Sequence, residues 1–399
     1  MSTLVANSAA TDPNGHLDPT KPYPLTGITV VDLSRVLAGP TCGRMLADAG
    51  ARVLKVERPG NGDDSRLMGP FAANGSSEYY RFANLGKESI ALNLKDPDDY
   101  ALVKRMIAAA DVVVENFRPG VMARLNLDPA QLVEEFPHLI VCSISGFGQY
   151  GPMHQQAAYD TVVQAVSGIM DGTGWPDGSP TRVGTSVSDI IAGIFGYCAV
   201  VTALYAREHT GHGTTVDIAM LDSTFSLMEQ GLMDALGVHV RPHRIGNRHP
   251  SMAPFDTYQC KDQLLAICCG NDHLFAILAQ VLGTPQLPAD PKFDTNAKRC
   301  DNQADLKVAM EAVLKTDTAA NWHARLEQAG IPSSLILNVD DTRKLDQIRA
   351  RGMVKDVGGT TVPGSPMKWG AYNSIGTMIP SPTLDQSGAA LRAEFSEKA

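Results

Sequence analysis

Three aspartates in short, distinctive segments are the residues of this chain best suited to covalent chemistry: Asp160 in AAYD, Asp189 in PTRVGTSVSD and Asp222 in AMLD. Asp189 leads because of where it falls. The stretch before it is rich in Gly, Pro and Asp, and from Ile190 to about Arg207 the chain turns apolar and small, the pattern of a buried helix. A carboxylate in the first turn of such a helix meets the positive end of the macrodipole and unpaired backbone N–H groups. Asp189 is therefore expected to stay ionised near neutral pH, as a nucleophile must. The plainer reading of the same residue is a helix N-cap, where Asp is favoured. Asp160 and Asp222 read equally well as capping or salt-bridged aspartates.

Other constellations carry less. Glu57 closes a β-branched run where an acidic residue would meet a ribose. The loop between that run and the strand before it, LSRVLAGPTCG, however, spaces Gly39 and Gly43 wrongly for GxGxxG and puts Pro40 at the expected helix start, so a dinucleotide lacks its close approach to backbone. His239, His243 and His249 lie near one another, but Pro242 breaks any helix that would align the first two, and no carboxylate joins them; no metal is expected. Cys268 and Cys269 are neighbours in a strand, face opposite ways and cannot chelate together. A cysteine nucleophile would need a base such as His273, and buried strand cysteines are usually inert. Arg35, Arg58, Lys95, Arg118 and Arg124 each read as solvated surface when taken singly. Gathered at the ligand edge of one sheet, they would suit a phosphorylated ligand.

The elements that must position these residues follow from periodicity. ITVVDLS (28–34), a helix over 40–50 and ARVLKVE (51–57) make a βαβ unit. SIALNLK (89–95), a helix over 97–110, DVVVENF (111–117), a helix through Gln131 and Glu135, LIVCSIS (139–145) and TTVDIAML (214–221) continue the alternation. Apolar strands alternating with helices predict an α/β fold, with a doubly wound, Rossmann-like parallel sheet covered on both faces. Such a sheet binds ligands beyond the carboxyl ends of its strands. In the long helix after Asp189, Ala192, Gly193 and Gly196 let another backbone approach closely.

Around 230–254 the composition shifts to RPHRIGNRHPSMAP, which marks a boundary. The expected organisation is a flexible or extended, proline-bearing arm over 1–24, a large domain from 25 to 229, a smaller α+β domain over 230–332 with strand LLAICCG (264–270), and a segment over 333–399 that returns to the large domain.

At 399 residues, 44% hydrophobic and 19% charged, the chain has the composition of an ordinary globular protein large enough for two domains. A net charge of -9 without a basic stripe argues against nucleic acid and anionic membranes as partners. The seven cysteines form an odd set without CxxC spacing and read as buried free thiols of a reducing compartment. The first residues lack the basic and apolar regions of a signal peptide. No stretch reaches the roughly 20 uninterrupted apolar residues of a membrane span; the helix after Asp189 comes nearest, broken by glycines and ending in charges. A cytoplasmic location is expected.

Taken in order, DLSRVLAGP, LADAGARVLKVERPGNGDDSR, NLGKESIALNLK, DVVVENFRPGVMARL, SGFGQYGP, AAYDTVVQAVSGIM, PTRVGTSVSD, REHTGHGTTVDIAMLD and GNRHPSMAPFDTY resemble the class III (CaiB/BaiF type) CoA-transferases. The resemblance covers nearly the whole chain after the arm. Its RIGNRHPSMAPFDTYQCKDQLLAICCGNDHLF and TLDQSGAALRAEF look most like the acetyl-CoA:oxalate branch. It implies that Asp189 is the acyl-accepting nucleophile: attack on an acyl-CoA gives an aspartyl mixed anhydride, the released CoA thiolate forms an aspartyl-CoA thioester, and the acceptor acid reverses these steps. Exchange of CoA between two acids conserves the thioester, so the reaction itself asks for no ATP, metal or permanently bound cofactor, only an ionised nucleophile screened from water. The resemblance also implies CoA contacts at Leu37, Ala38, Arg58, Leu92, Asn93, Leu94, Lys95, Asn116, Phe117, Arg118, Arg124 and Tyr159, and a homodimer of two interlocked rings.

Leu37 stands where formyl-CoA:oxalate enzymes carry glutamine, and their tetraglycine loop has no counterpart between Gln230 and Pro254. Acetyl-CoA, formyl-CoA or succinyl-CoA is the expected donor and oxalate the first acceptor, with succinate, itaconate and mesaconate next. Two rival readings are an α-methylacyl-CoA racemase, which carries histidine where Tyr159 precedes Asp160, and a CoA-binding protein without catalysis.

Overall fold

The computed structural model describes residues 21–373, 376 and 378–396; most of the expected arm, residues 1–20, lies outside them. The chain divides into two compact units. The larger comprises the residues up to Ile169, Arg182–Leu232 and those from Arg343 onward.

The larger unit is built on a six-stranded parallel sheet of β1 (Thr29–Asp32), β2 (Arg52–Glu57), β3 (Lys87–Ala91), β4 (Val112–Glu115), β5 (Ile140–Ser145) and β6 (Thr215–Ala219), in the order β3-β2-β1-β4-β5-β6. This is the Rossmann order, and its direction of winding reverses between β1 and β4, where a crevice opens. Up to Ser226 the helices in chain order are α1 (Ala38–Asp48), α2 (Glu78–Asn84), α3 (Pro97–Ala108), α4 (Val121–Arg124), α5 (Pro129–Glu135), α6 (Asp160–Ser167), the single turn α7 (Ile169–Gly172), all but its first residue in the smaller unit, α8 (Val187–Thr210) and α9 (Met220–Ser226). Strand side chains alternate between two cores. Val30, Val112, Val114, Ile140 and Cys142 pack with Leu46 of α1 and Ala192 and Val200 of α8. Val31, Val113 and Val141 pack on the opposite face with Val103 and Met106 of α3 and Leu132 of α5. Both faces are covered, which is why the strands read as continuous apolar runs.

Element ends differ from the sequence reading where local bonding decides. Helix α1 begins at Ala38, so Pro40 lies inside its first turn, where its missing N–H leaves no intrahelical bond unmade. Strand β3 runs only to Ala91, which leaves Leu92–Lys95 as a turn beyond its carboxyl end. Strand β6 stops at Ala219 because Met220 already begins α9.

Helix α8 is long and apolar enough to cross a membrane by length and composition, contrary to the expectation for this chain; its glycines lower its hydropathy too little to exclude it. It packs instead on α1. A Cβ on Gly193 would stand 2.7 Å from the Ala38 carbonyl oxygen and from Thr41 Cβ, and one on Gly196 would stand 2.9 Å from Ile144 Cδ1. Cys198 on this helix is exposed, unlike the buried Cys42 and Cys142, and all seven cysteines are free thiols.

The C-terminal residues return to the larger unit at the free edge of β3. Ser387 N donates to Ser89 O (2.9 Å), Ala91 N donates to Asp385 Oδ1 (2.7 Å), and Arg52 pairs with both Glu88 (2.8 Å) and Glu394 (2.6 Å).

The smaller unit holds residues 170–181 and 233–342. Its antiparallel sheet of β7 (Phe255–Gln259), β8 (Leu264–Cys268) and β9 (Ser333–Leu335) shares a core with Phe275, Leu278, Met310, Trp322 and Leu326 from three helices. The sequence reading assigned 170–181 to the large domain; side-chain chemistry places it here. Arg244 Nη1 bonds both Asp171 O (2.9 Å) and Asp171 Oδ1 (3.0 Å), Gly246 N donates to Gly174 O (3.0 Å), and Gly246 lacks the Cβ that would strike the Trp175 ring.

Candidate active site

Beyond the carboxyl ends of β1, β4 and β5 lies a cavity of about 530 Å³. The loop Ser34–Leu37, between β1 and α1, forms one wall and is held by four separate anchors. Lys55 Nζ donates to Ser34 O (2.7 Å), and the Asn116 amide bonds both the N–H and the carbonyl of Arg35 (2.8 Å each). Asp63 Oδ1 accepts from Val36 N (3.0 Å), and Lys87 Nζ donates to Pro40 O (2.9 Å), one turn into α1. Both lysines are buried and paired, Lys55 with Asp63 at 2.9 Å and Lys87 with Asp32 at 2.8 Å. Val36 sits at φ +67°, a conformation that costs a β-branched residue and persists only where its surroundings over-determine it. The result is a preset ligand wall.

Asp189 faces this cavity from the first turn of α8. It is not the cap. Ser186 occupies the N-cap position without a side-chain bond, and the N–H of Ser188 donates to Asp160 Oδ1 at 3.0 Å. Asp160 Oδ2 accepts from Gln164 Nε2 (2.8 Å), and Gln164 Oε1 accepts from Val183 N (2.8 Å), so α6 fixes the loop leading into α8. With that cap taken, the Asp189 carboxylate has no hydrogen-bond or ion-pair partner among the described residues. Burial, and then the Asp160 charge, push its carboxyl from an ordinary 3.8 up to about 7. Burial and a like charge thus work against the expectation that Asp189 stays ionised near neutral pH.

A second cavity, of about 470 Å³, lies beyond the ends of β2 and β3 and is lined by Arg58, the turn Leu92–Lys95 and Leu125. Arg35 and Phe117 line both cavities. Asp64 pairs with Arg35 (3.0 Å) and with Arg58, holding two guanidiniums together near that shared wall. Glu57 lines this second cavity too, but its carboxylate is already engaged: it takes Arg66 (2.7 Å), Ser89 Oγ (2.6 Å) and Asp63 N (2.9 Å).

The sequence model of CoA-transferase family III matches residues 25–387. An acetyl-CoA:oxalate CoA-transferase of Acetobacter aceti is 48% identical over 94% of this chain and 97% of its own length. A succinate–glutarate CoA-transferase of Agrobacterium fabrum is 38% identical over 94% of this chain and 97% of its own. A crystal structure of a CaiB/BaiF family protein from Brucella suis superposes with a TM-score of 0.85 at 38% identity, covering 94% of this chain and all of that one. The chain belongs to CoA-transferase family III.

Family membership makes the chain a CoA-transferase and sets the expected CoA positions against the geometry. Leu37, Ala38, Asn116, Phe117, Arg118 and Tyr159 line the cavity that holds Asp189. Arg58, Leu92, Asn93, Leu94 and Lys95 line the second cavity, together with Phe117. Arg124, exposed at the end of α4, lines neither. Asn116 contributes chiefly by fixing Arg35, since both ends of its amide are occupied. Of the rival aspartates, Asp160 is the cap of α8, and Asp222 on α9 lines neither cavity.

Sequence reasoning missed three residues in or beside this candidate site. Tyr79 of α2 lines the Asp189 cavity, and its hydroxyl is pushed up to about 12 by burial and by the charges of Asp189 and Asp160, so it stays a proton donor. Nothing in SEYYRFAN marks it. Glu115, buried at the end of β4, accepts from Phe117 N (2.8 Å) and orients the ring shared by both cavities. Arg182 lines the Asp189 cavity as well. Only its place in the same segment as Asp189 pointed to it.

Proposed function

We propose that this enzyme moves CoA from a short acyl-CoA, acetyl-CoA first, to a small dicarboxylic acid, oxalate first, with Asp189 as the nucleophile. The observation that carries the proposal is an unpartnered carboxylate facing the larger cavity at the switch point of the sheet, with a second cavity sharing its wall. In this reading the nucleotide end of CoA occupies the second cavity, its phosphates meet Arg58, Lys95 and Arg118, and the thioester reaches Asp189 past Phe117. The named acids of similar proteins support the acceptor class: oxalate, glutarate, mesaconate and D-citramalate all carry two carboxyl groups.

The ionised Asp189 attacks the thioester carbonyl, and the C–S bond breaks to give an aspartyl acyl anhydride and CoA thiolate. The thiolate then attacks the aspartyl carbonyl, releasing the first acid and leaving an aspartyl-CoA thioester. The acceptor carboxylate attacks that thioester, and thiolate return to the acceptor's acyl carbon regenerates Asp189. The Tyr79 hydroxyl is placed to donate to the developing oxyanions. A half-buried site protects the anhydride from water.

The test is direct. Protein incubated with acetyl-CoA and then hydroxylamine or borohydride should carry a modification on Asp189, found by mass spectrometry. Asp189→Ala should lose the modification and reduce transfer by about 10³-fold or more. No adduct, and no CoA exchange with any dicarboxylate, would sink the proposal. A homodimer and a cytoplasmic location belong to the same reading, supported by the family's interlocked pairs and by seven unpaired thiols.

A further inference from the structure

Arg182 is a cation that the CoA reading leaves without a task. It lines the cavity that holds Asp189, with its side chain 47% exposed. Its bonds are loose: Nη1 stands 3.8 Å from Asp160 Oδ2 and donates to Val183 O at 3.3 Å. The backbone beneath it is not loose, because Val183 N is held by Gln164 Oε1 at 2.8 Å and Gln164 Nε2 reaches Thr185 O at 3.3 Å. A fixed stem and a lightly held guanidinium describe a group that can turn to a ligand.

Electrostatics supplies the reason a ligand would need it. The cavity already holds two carboxylates, Asp160 and Asp189, near enough that the first raises the proton affinity of the second. An acceptor with two carboxyl groups brings two more negative charges into the same space. Three other basic residues line it. Arg35 is paired with Asp64 at 3.0 Å, His154 Nδ1 is bonded to Gly151 O at 2.7 Å, and Arg118 falls among the CoA phosphate positions. Arg182 alone is tied to the Asp160 platform that also caps the helix bearing Asp189. Its planar fork matches a carboxylate with two parallel N–H donors.

We propose that Arg182 binds the non-reacting carboxylate of the acceptor and so selects dicarboxylic over monocarboxylic acids. The assignment rests on the transferase reading above. As the acceptor enters, the guanidinium leaves its long contact with Asp160 and pairs with the distal carboxylate, while the proximal carboxylate is left free to attack the aspartyl-CoA thioester. A monocarboxylate such as acetate has no group for it to hold.

The experiment compares two acids on one enzyme: kcat/KM for CoA transfer to oxalate, and kcat/KM for exchange of labelled acetate into acetyl-CoA. Arg182→Ala should lower the oxalate-to-acetate ratio at least tenfold, mainly through KM for oxalate, and Arg182→Lys should restore part of it. A ratio unchanged within twofold, with both activities falling together, overturns the assignment in favour of a loop-holding role. A change confined to KM for acetyl-CoA overturns it in favour of CoA binding. If the wild-type enzyme fails to exchange acetate at all, the proposed acetyl-CoA-to-oxalate transfer falls and takes this assignment with it.

Discussion

Asp189 and Asp160 divide between them two jobs that a single aspartate at a helix start was expected to do. Asp160 takes the cap, and burial, followed by the Asp160 charge, pushes the Asp189 carboxyl up to about 7. The proposed chemistry requires the ionised form, so kcat/KM for acetyl-CoA, the proposed donor, should rise about tenfold per pH unit below 7 and level off above it. A flat profile from pH 5 to 8 would contradict this. The same shift acts on stability with the opposite sense. Between an ordinary 3.8 and about 7 the folded protein holds a proton that the unfolded chain has released, so stability falls as pH rises through that window. Asp189→Asn should therefore be more stable than the wild type by about 1 kcal/mol at pH 8, with the gap closing near pH 4, as read from urea midpoints.

Helices α1 and α8 approach most closely where α8 carries Gly193 and Gly196, and that contact places both walls of the cavity. The Ala38 carbonyl and Thr41 occupy the space a Cβ on Gly193 would need. Gly193→Leu should cost about 1–3 kcal/mol, by denaturant melting, and lower transfer activity more than an equal destabilisation elsewhere, because Asp189 lies one turn away on the same helix. The stripe Ala192, Gly193, Gly196 was legible in the sequence as a close-approach surface; its partner was not. The strands were legible for a similar reason, since apolar residues on both faces leave few other arrangements.

At the scale of the whole molecule, α8 keeps apolar residues such as Phe195 and Tyr205 exposed in the single chain, and only 39% of its most apolar stretch is buried. Burial of that surface between two copies accords with the proposed homodimer, and light scattering should give twice 42.6 kDa. A mass of one chain at micromolar concentration would refute it.

Local pattern alone specified the alternating strands and helices, the first-turn position of Asp189, and, with the family's ordered segments, the transferase class. Each depends on residues close in sequence. The tertiary structure decided what depends on distant residues meeting: that Asp160 caps α8, that Asn116 and Lys55 lock the Arg35 loop, that Tyr79 and Arg182 line the cavity that holds Asp189, and that residues 170–181 join the smaller unit through Arg244. It also set the proton affinity of the proposed nucleophile. A proton's affinity is fixed by desolvation and by the nearest charges, and for Asp189 the nearest charge lies 29 residues back in the chain.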